Sequence, residues 1–133
     1  MASLSAFLNP VQIEKKEVIV SERFQENGKP VPFVIRPITQ QENEEFIRKH
    51  TKRDKKGNEV FNRIEYNREL TATAVVEPDL NNAELQKAYG TLGAPKTLTK
   101  MLYVGEFATL MQAALDLSGL DKDINEDIEE AKN

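Results

Sequence analysis

The side chains that carry most enzyme chemistry are thinly spread in this chain. His50 is the only histidine, and there is no cysteine. Disulfides, thiolate metal sites and cysteine nucleophiles are therefore excluded. His50 closes a polar segment beside lysines, and no motif sets a serine or carboxylate next to it. A solvated helix end is expected there, not a general base. Asp121-Lys122-Asp123-Ile124-Asn125-Glu126-Asp127 opens like a calcium loop, with oxygen donors at alternate positions. Glu126 stands where the loop needs glycine, and Lys132 where it needs a bidentate glutamate, so calcium binding is not expected. Gly90-Thr91-Leu92-Gly93 lacks the Lys-Ser/Thr of a phosphate loop, and helix punctuation explains both glycines. No catalytic residue, metal ligand or cofactor site is expected.

Two surface features remain. Arg48, Lys49, Lys52, Arg53, Lys55 and Lys56 form a basic run, but Asp54 interrupts it and no aromatic is interleaved. A solvated loop fits it better than a nucleic-acid contact. The net charge of -4 also argues against a general nucleic-acid coat. The second feature is apolar. Val104, Phe107, Met111 and Leu115 recur at helical spacing, and Leu110, Ala113, Ala114 and Leu117 widen the stripe. Such a stripe is most often core. Its breadth in so small a domain makes Val104, Phe107, Leu110, Met111 and Leu115 the candidate partner-binding face.

The elements that must position this face can be read along the chain. With 39% hydrophobic and 30% charged residues over 133 positions, one domain is expected, burying roughly two-thirds of its unfolded surface. Residues 1–10 form an N-terminal arm whose apolar turn, capped by Ser3, is expected to dock on something. Residues 14–36 hold a β-hairpin, with strands over Glu17–Phe24 and Val31–Ile35 and an Asn27-Gly28 turn. Pro30 and Pro32 cannot donate to a ladder, so pairing should begin at about Phe33. Thr39 and Glu42 spell a capping box for a mostly solvated helix reaching about His50. The basic run then reads as a polar loop or disordered tip.

Phe61–Val76 fits both strand alternation and a helix face, and its length favours a helix ended by Pro78. Leu80, Asn81, Glu84 and Leu85 look like a capping box with a hydrophobic staple, and Gly90 closes that short helix. Leu85, Ala88 and Tyr89 must then pack on neighbours. Pro95 suits the first turn of the next helix, which carries Leu98, Met101 and Leu102. A last helix is expected over Gly105–Leu117, with Ser118-Gly119-Leu120 as a Schellman ending. Residues 121–133 form an acidic tail expected to fray. The expected fold is α+β, mainly α: an N-terminal β-hairpin followed by a bundle of about four to five short helices over residues 39–120. The N-terminus lacks a signal peptide's positive region, the first lysine being Lys15, and no apolar run approaches a membrane span. A soluble intracellular protein is expected.

Several blocks together resemble a known family. They are Leu4-Ser5-Ala6-Phe7-Leu8, Glu26-Asn27-Gly28-Lys29-Pro30-Val31-Pro32-Phe33, and Arg36-Pro37-Ile38-Thr39 with Glu42-Asn43-Glu44. To these add Pro78-Asp79-Leu80-Asn81-Asn82-Ala83-Glu84-Leu85-Gln86 with Tyr89-Gly90, and Met101-Leu102 with Gly105-Glu106-Phe107. The pattern is similar to the XkdN-like phage tail assembly chaperones of PBSX-like and skin-like prophage elements in Gram-positive bacteria. It runs over nearly the whole chain. Tyr103-Val104 departs from it, standing where the family pattern often carries a proline, which should extend the last helix backward.

The resemblance implies a non-enzymatic protein of the host bacterial cytoplasm, absent from the mature virion. Its implied partners are the tape measure protein and the tail-tube protein, with a homo-oligomer and a frameshifted longer form of itself as further expectations. Ala131-Lys132-Asn133 admits a slippery heptamer if the codons are GCA-AAA-AAC or GCA-AAA-AAU. No nucleic-acid or membrane partner is expected. Two rival readings are a structural tail or connector subunit, and a small RNA-binding regulator using the Arg48–Lys56 run.

Overall fold

The computed structural model describes residues 3–120. The acidic tail, its calcium-loop reading and the slippery codons lie outside the described residues. A short helix α1 (Leu4–Leu8) opens the chain. Its whole arm to Glu17 is exposed, and no described residue of the chain covers this turn.

Strand β1 (Lys16–Val18) follows, then a small hairpin of β2 (Gln25–Glu26) and β3 (Lys29–Pro30), then β4 (Phe33–Ile35). Asn27 and Gly28 both take positive φ, 54° and 77°, the conformation a tight two-residue hairpin turn requires. β1 pairs antiparallel with β4, with Val18 opposite Phe33 and Lys16 opposite Ile35. Pairing thus starts at Phe33, the first position free of the two prolines. The first strand is shorter than its β-branched run suggested. Residues 19–24 face only residues 31–32, so they leave the ladder as a loop, and Ile19 is exposed.

Helix α2 (Gln40–Lys49) carries the expected box: Glu42 N–H donates to Thr39 Oγ1 at 3.1 Å, and Thr39 N–H to Glu42 Oε1 at 3.1 Å. It buries no residue fully, with Phe46 half-buried against the core. The basic run is more ordered than expected. It builds a second hairpin from β5 (Thr51–Arg53) and β6 (Glu59–Phe61). Asp54 accepts the Lys56 and Asn58 N–H groups at 2.9 Å each, and Gly57 takes φ 84°, so the turn supplies its own closure.

The ambiguous stretch divides into both of its readings. Helix α3 (Arg63–Ala74) is capped by Asn62, and the last two residues of the expected helix, Val75 and Val76, pass into strand β7 (Val75–Glu77). β7 pairs antiparallel with β4, giving a three-stranded sheet in the order β1-β4-β7. Helix α4 (Ala83–Tyr89) starts one residue later than expected. Asn82, not Asn81, is the N-cap, accepting from Leu85 N–H at 3.0 Å. Glu84 and Leu85 consequently miss the capping-box and staple positions. Asp79 takes the Asn81 N–H, and Gln86 donates to Leu80 O. At the far end Gly90 (φ 65°) closes a Schellman turn, with Thr91 N–H on Gln86 O and its own N–H on Lys87 O.

Helices α5 (Ala94–Met101) and α6 (Val104–Leu117) complete the fold. The second Schellman turn forms as expected: Leu120 N–H reaches Leu115 O and Gly119 N–H reaches Asp116 O. The architecture is α+β, mainly α; β1 to β4 precede α2, whereas β5, β6 and β7 are interleaved with the helices that follow. Ile35, Leu70, Leu98 and Leu110 are shut off from solvent at the centre, where α3 meets α5, α6 and the sheet. Among the described residues, no helix is long and apolar enough to cross a membrane.

Candidate partner-binding surfaces

The start of α6 is held by one ion pair. Arg23, in the loop that leaves the first ladder, reaches Glu106 by two bonds: Nε to Oε2 at 2.8 Å and Nη2 to Oε1 at 2.6 Å. Nη2 also donates to Met101 O at 2.9 Å, and Glu106 Oε1 accepts the Tyr103 N–H at 2.7 Å. The guanidinium lies over the Tyr103 ring, 4.3 Å from its centroid, and 5.0 Å from that of Phe24. The Arg23 hydrogen bonds hold the Glu106 carboxyl down at about 2 from its ordinary 4.5. Arg36 does the same to Glu42, also at about 2, through bonds of 3.0 and 2.8 Å. The pair at Arg23 fixes where α6 begins, at Val104, one residue before the expected start.

The five candidate residues of α6 do not share one environment. Val104 is 90% exposed. Phe107 and Leu115 are half-buried against the core, and Met111 is half-buried. Leu110 has no exposure at all and packs inside the monomer, so it cannot touch a partner. Val104 and Phe107 instead join Ile64, Leu102 and Tyr103 around a shallow groove of about 360 Å³. Ile64 and Tyr103 are exposed there and come from outside the stripe. The periodicity of α6 does not reveal them, since Ile64 stands on α3, forty positions before Val104, and Tyr103 precedes the helix.

A second groove, about 470 Å³, lies between the first hairpin and α4. Phe24, Val31, Phe33, Leu85, Tyr89 and Met101 make it apolar, with Glu77 as its charged lining residue. The Pro78–Gly90 block thus supplies one wall through Pro78, Leu85 and Tyr89. Spacing gave no sign of this, since the hairpin wall comes from residues more than forty positions away in the sequence.

His50 is not the solvated helix end expected. Its Nε2 lies 3.2 Å from Glu69 Oε1, and Lys49 Nζ is 3.0 Å from Glu69 Oε2. Both bonds brace α2 against α3. Tyr66 donates to Asn43 across the same seam. The basic residues Lys52, Arg53, Lys55 and Lys56 point to solvent from the second hairpin. Among the described residues no cluster of histidine or acidic side chains could hold a metal ion.

Fold and surfaces together define a small, mainly helical α+β protein with largely apolar grooves among its described residues, Asn67, Arg68 and Thr99 adding polar groups to the one at α6. The model of the phage XkdN-like tail assembly chaperone family matches residues 4–132, and the chain belongs to that family. The phage-like element PBSX protein XkdN of Bacillus subtilis (strain 168) is 30% identical, over 98% of this chain and 93% of its own length. The uncharacterized protein YqbN of the same strain is 32% identical, over 91% of this chain and 85% of its own. A crystal structure of YqbN matches with a TM-score of 0.77 at 25% identity, covering 91% of this chain and 99% of that one.

Proposed function

We propose that this tail assembly chaperone binds the tape measure protein of its phage element through the groove at the start of α6. It keeps that long helical chain soluble until tail-tube subunits polymerise around it. It then leaves, so that it acts in the host cytoplasm and is absent from finished particles. The role needs no catalysis.

One observation supports this surface above others: Val104, 90% exposed, heads a strip with Phe107, Tyr103 and Ile64 on the outside of the fold. An amphipathic helix lays its apolar face into such a groove, with anchors one helical turn apart. Met111 continues the strip one further turn along α6. A long apolar helix without its tube is an aggregation hazard, and covering it removes the hazard.

The test is co-expression of this chain with the tape measure protein of the same element. Wild-type chain should carry the tape measure into the soluble fraction. Val104→Glu combined with Ile64→Glu should leave it insoluble while the chaperone itself stays folded by circular dichroism. If the double variant solubilises it as well as wild type does, this groove is not the site.

A further inference from the structure

The N-terminal arm is the least explained part of the molecule. Residues 3–13 contain no charged side chain, in a chain where 30% of residues are charged. Leu4, Phe7 and Leu8 of α1 are 72%, 73% and 67% exposed, and Val11 and Ile13 beyond it are exposed too. A helix of five residues cannot hold itself in water and needs a surface to form on. Among the described residues nothing covers it. The groove between the first hairpin and α4 offers a concave apolar lining.

We infer that the arm of one copy lies in this hairpin–α4 groove of a second copy, and that the two chains exchange arms about a two-fold axis. Each copy carries one arm and one groove, so the exchange is self-complementary and closes at two. The area is sufficient. Five large apolar side chains at these exposures offer on the order of 500 Å² per arm, and two arms with the groove surfaces they cover reach roughly 1,200 Å² in all, the lower end of the range for specific interfaces. An uncharged arm meets an almost uncharged groove, so no ion is stripped of water without a partner. The α6 groove has different walls and stays open in the dimer.

The absence of cysteine allows a clean test on the full chain. Phe7→Cys and Tyr89→Cys chains are made separately, mixed in equal amounts and mildly oxidised. The exchange predicts a covalent heterodimer well above the yield of either variant alone. Adding Val31→Glu to the Tyr89→Cys chain should cut that yield several-fold, since Val31 lines the groove and is already part-exposed. Sedimentation of the unmodified chain should give a dimer that Phe7→Glu converts to monomer. No heterodimer from two variants with wild-type circular dichroism would overturn the inference. So would a Phe7→Cys/Tyr89→Cys chain that closes on itself at a rate independent of dilution, because the arm would then lie in its own groove.

Discussion

Leu110→Ala and Val104→Asp, two changes on one helix, separate its inner and outer sides. Leu110 is fully buried among the residues of the central core, whereas Val104 is 90% exposed at the first turn. Leu110→Ala removes three carbons from a site with no solvent access. The transfer part is about 2.4 kcal/mol at about 0.8 kcal/mol per carbon, and the cavity left behind raises the total to about 3–4 kcal/mol. For a domain of this size that lowers Tm on the order of 10 °C. Val104→Asp exposes nothing new and places an acid at a helix start, where the dipole favours it, so its effect should stay within about 0.5 kcal/mol. Urea unfolding followed by far-ultraviolet circular dichroism measures both, the chain having no tryptophan. In tape-measure binding the order reverses, with Val104→Asp the damaging change. A Leu110→Ala protein as stable as wild type would refute the placement of α6 and with it the choice of groove.

Three more outcomes follow from particular residues. Glu106 and Glu42 have folded values of about 2 against an ordinary 4.5, so their ion pairs stabilise the fold above about pH 4.5 and lose that contribution as the pH falls toward about 2. Tm should therefore drop over that window in wild type and drop less in Glu106→Gln, with equal slopes contradicting the assignment. Gly90→Ala forces a side chain into the left-handed conformation at φ 65° and should cost about 1–2 kcal/mol, read from the urea midpoint. Thr71 is fully buried and its Oγ1 has no hydrogen-bond partner among the described residues, so Thr71→Val should be neutral or stabilise by about 1 kcal/mol; a loss above that would reveal a bond the hydroxyl makes.

The parts of the fold legible in the sequence were those fixed by neighbours along the chain. Thr39 with Glu42, Asn27 with Gly28, Gly90, and Ser118-Gly119-Leu120 each close their own turn, and each appears where expected. Adjacent equivalents defeated the reading at α4. Asn81 and Asn82 can both cap a helix, and the choice fell to Asn82 because Asp79 and Gln86 engage the backbone before it. Val75 and Val76 left the helix because β4 offered a sheet edge, a partner forty positions away that no local pattern contains. The same limit governs the surface. Val104 and Leu110 share the apolar breadth of α6, and only packing against α3 sends one inward and leaves the other out. Glu69 beside His50, and Ile64 beside Val104, are likewise products of the tertiary fold.

The central claim is that the outer side of α6 holds the tape measure protein. Hydrogen exchange measured on this chain alone and in its purified complex with the tape measure tests it most directly. Exchange should slow over residues 102–111 in the complex, with the basic hairpin at residues 51–61 unchanged. Slowing confined to that hairpin, with residues 102–111 as in the free chain, would contradict it.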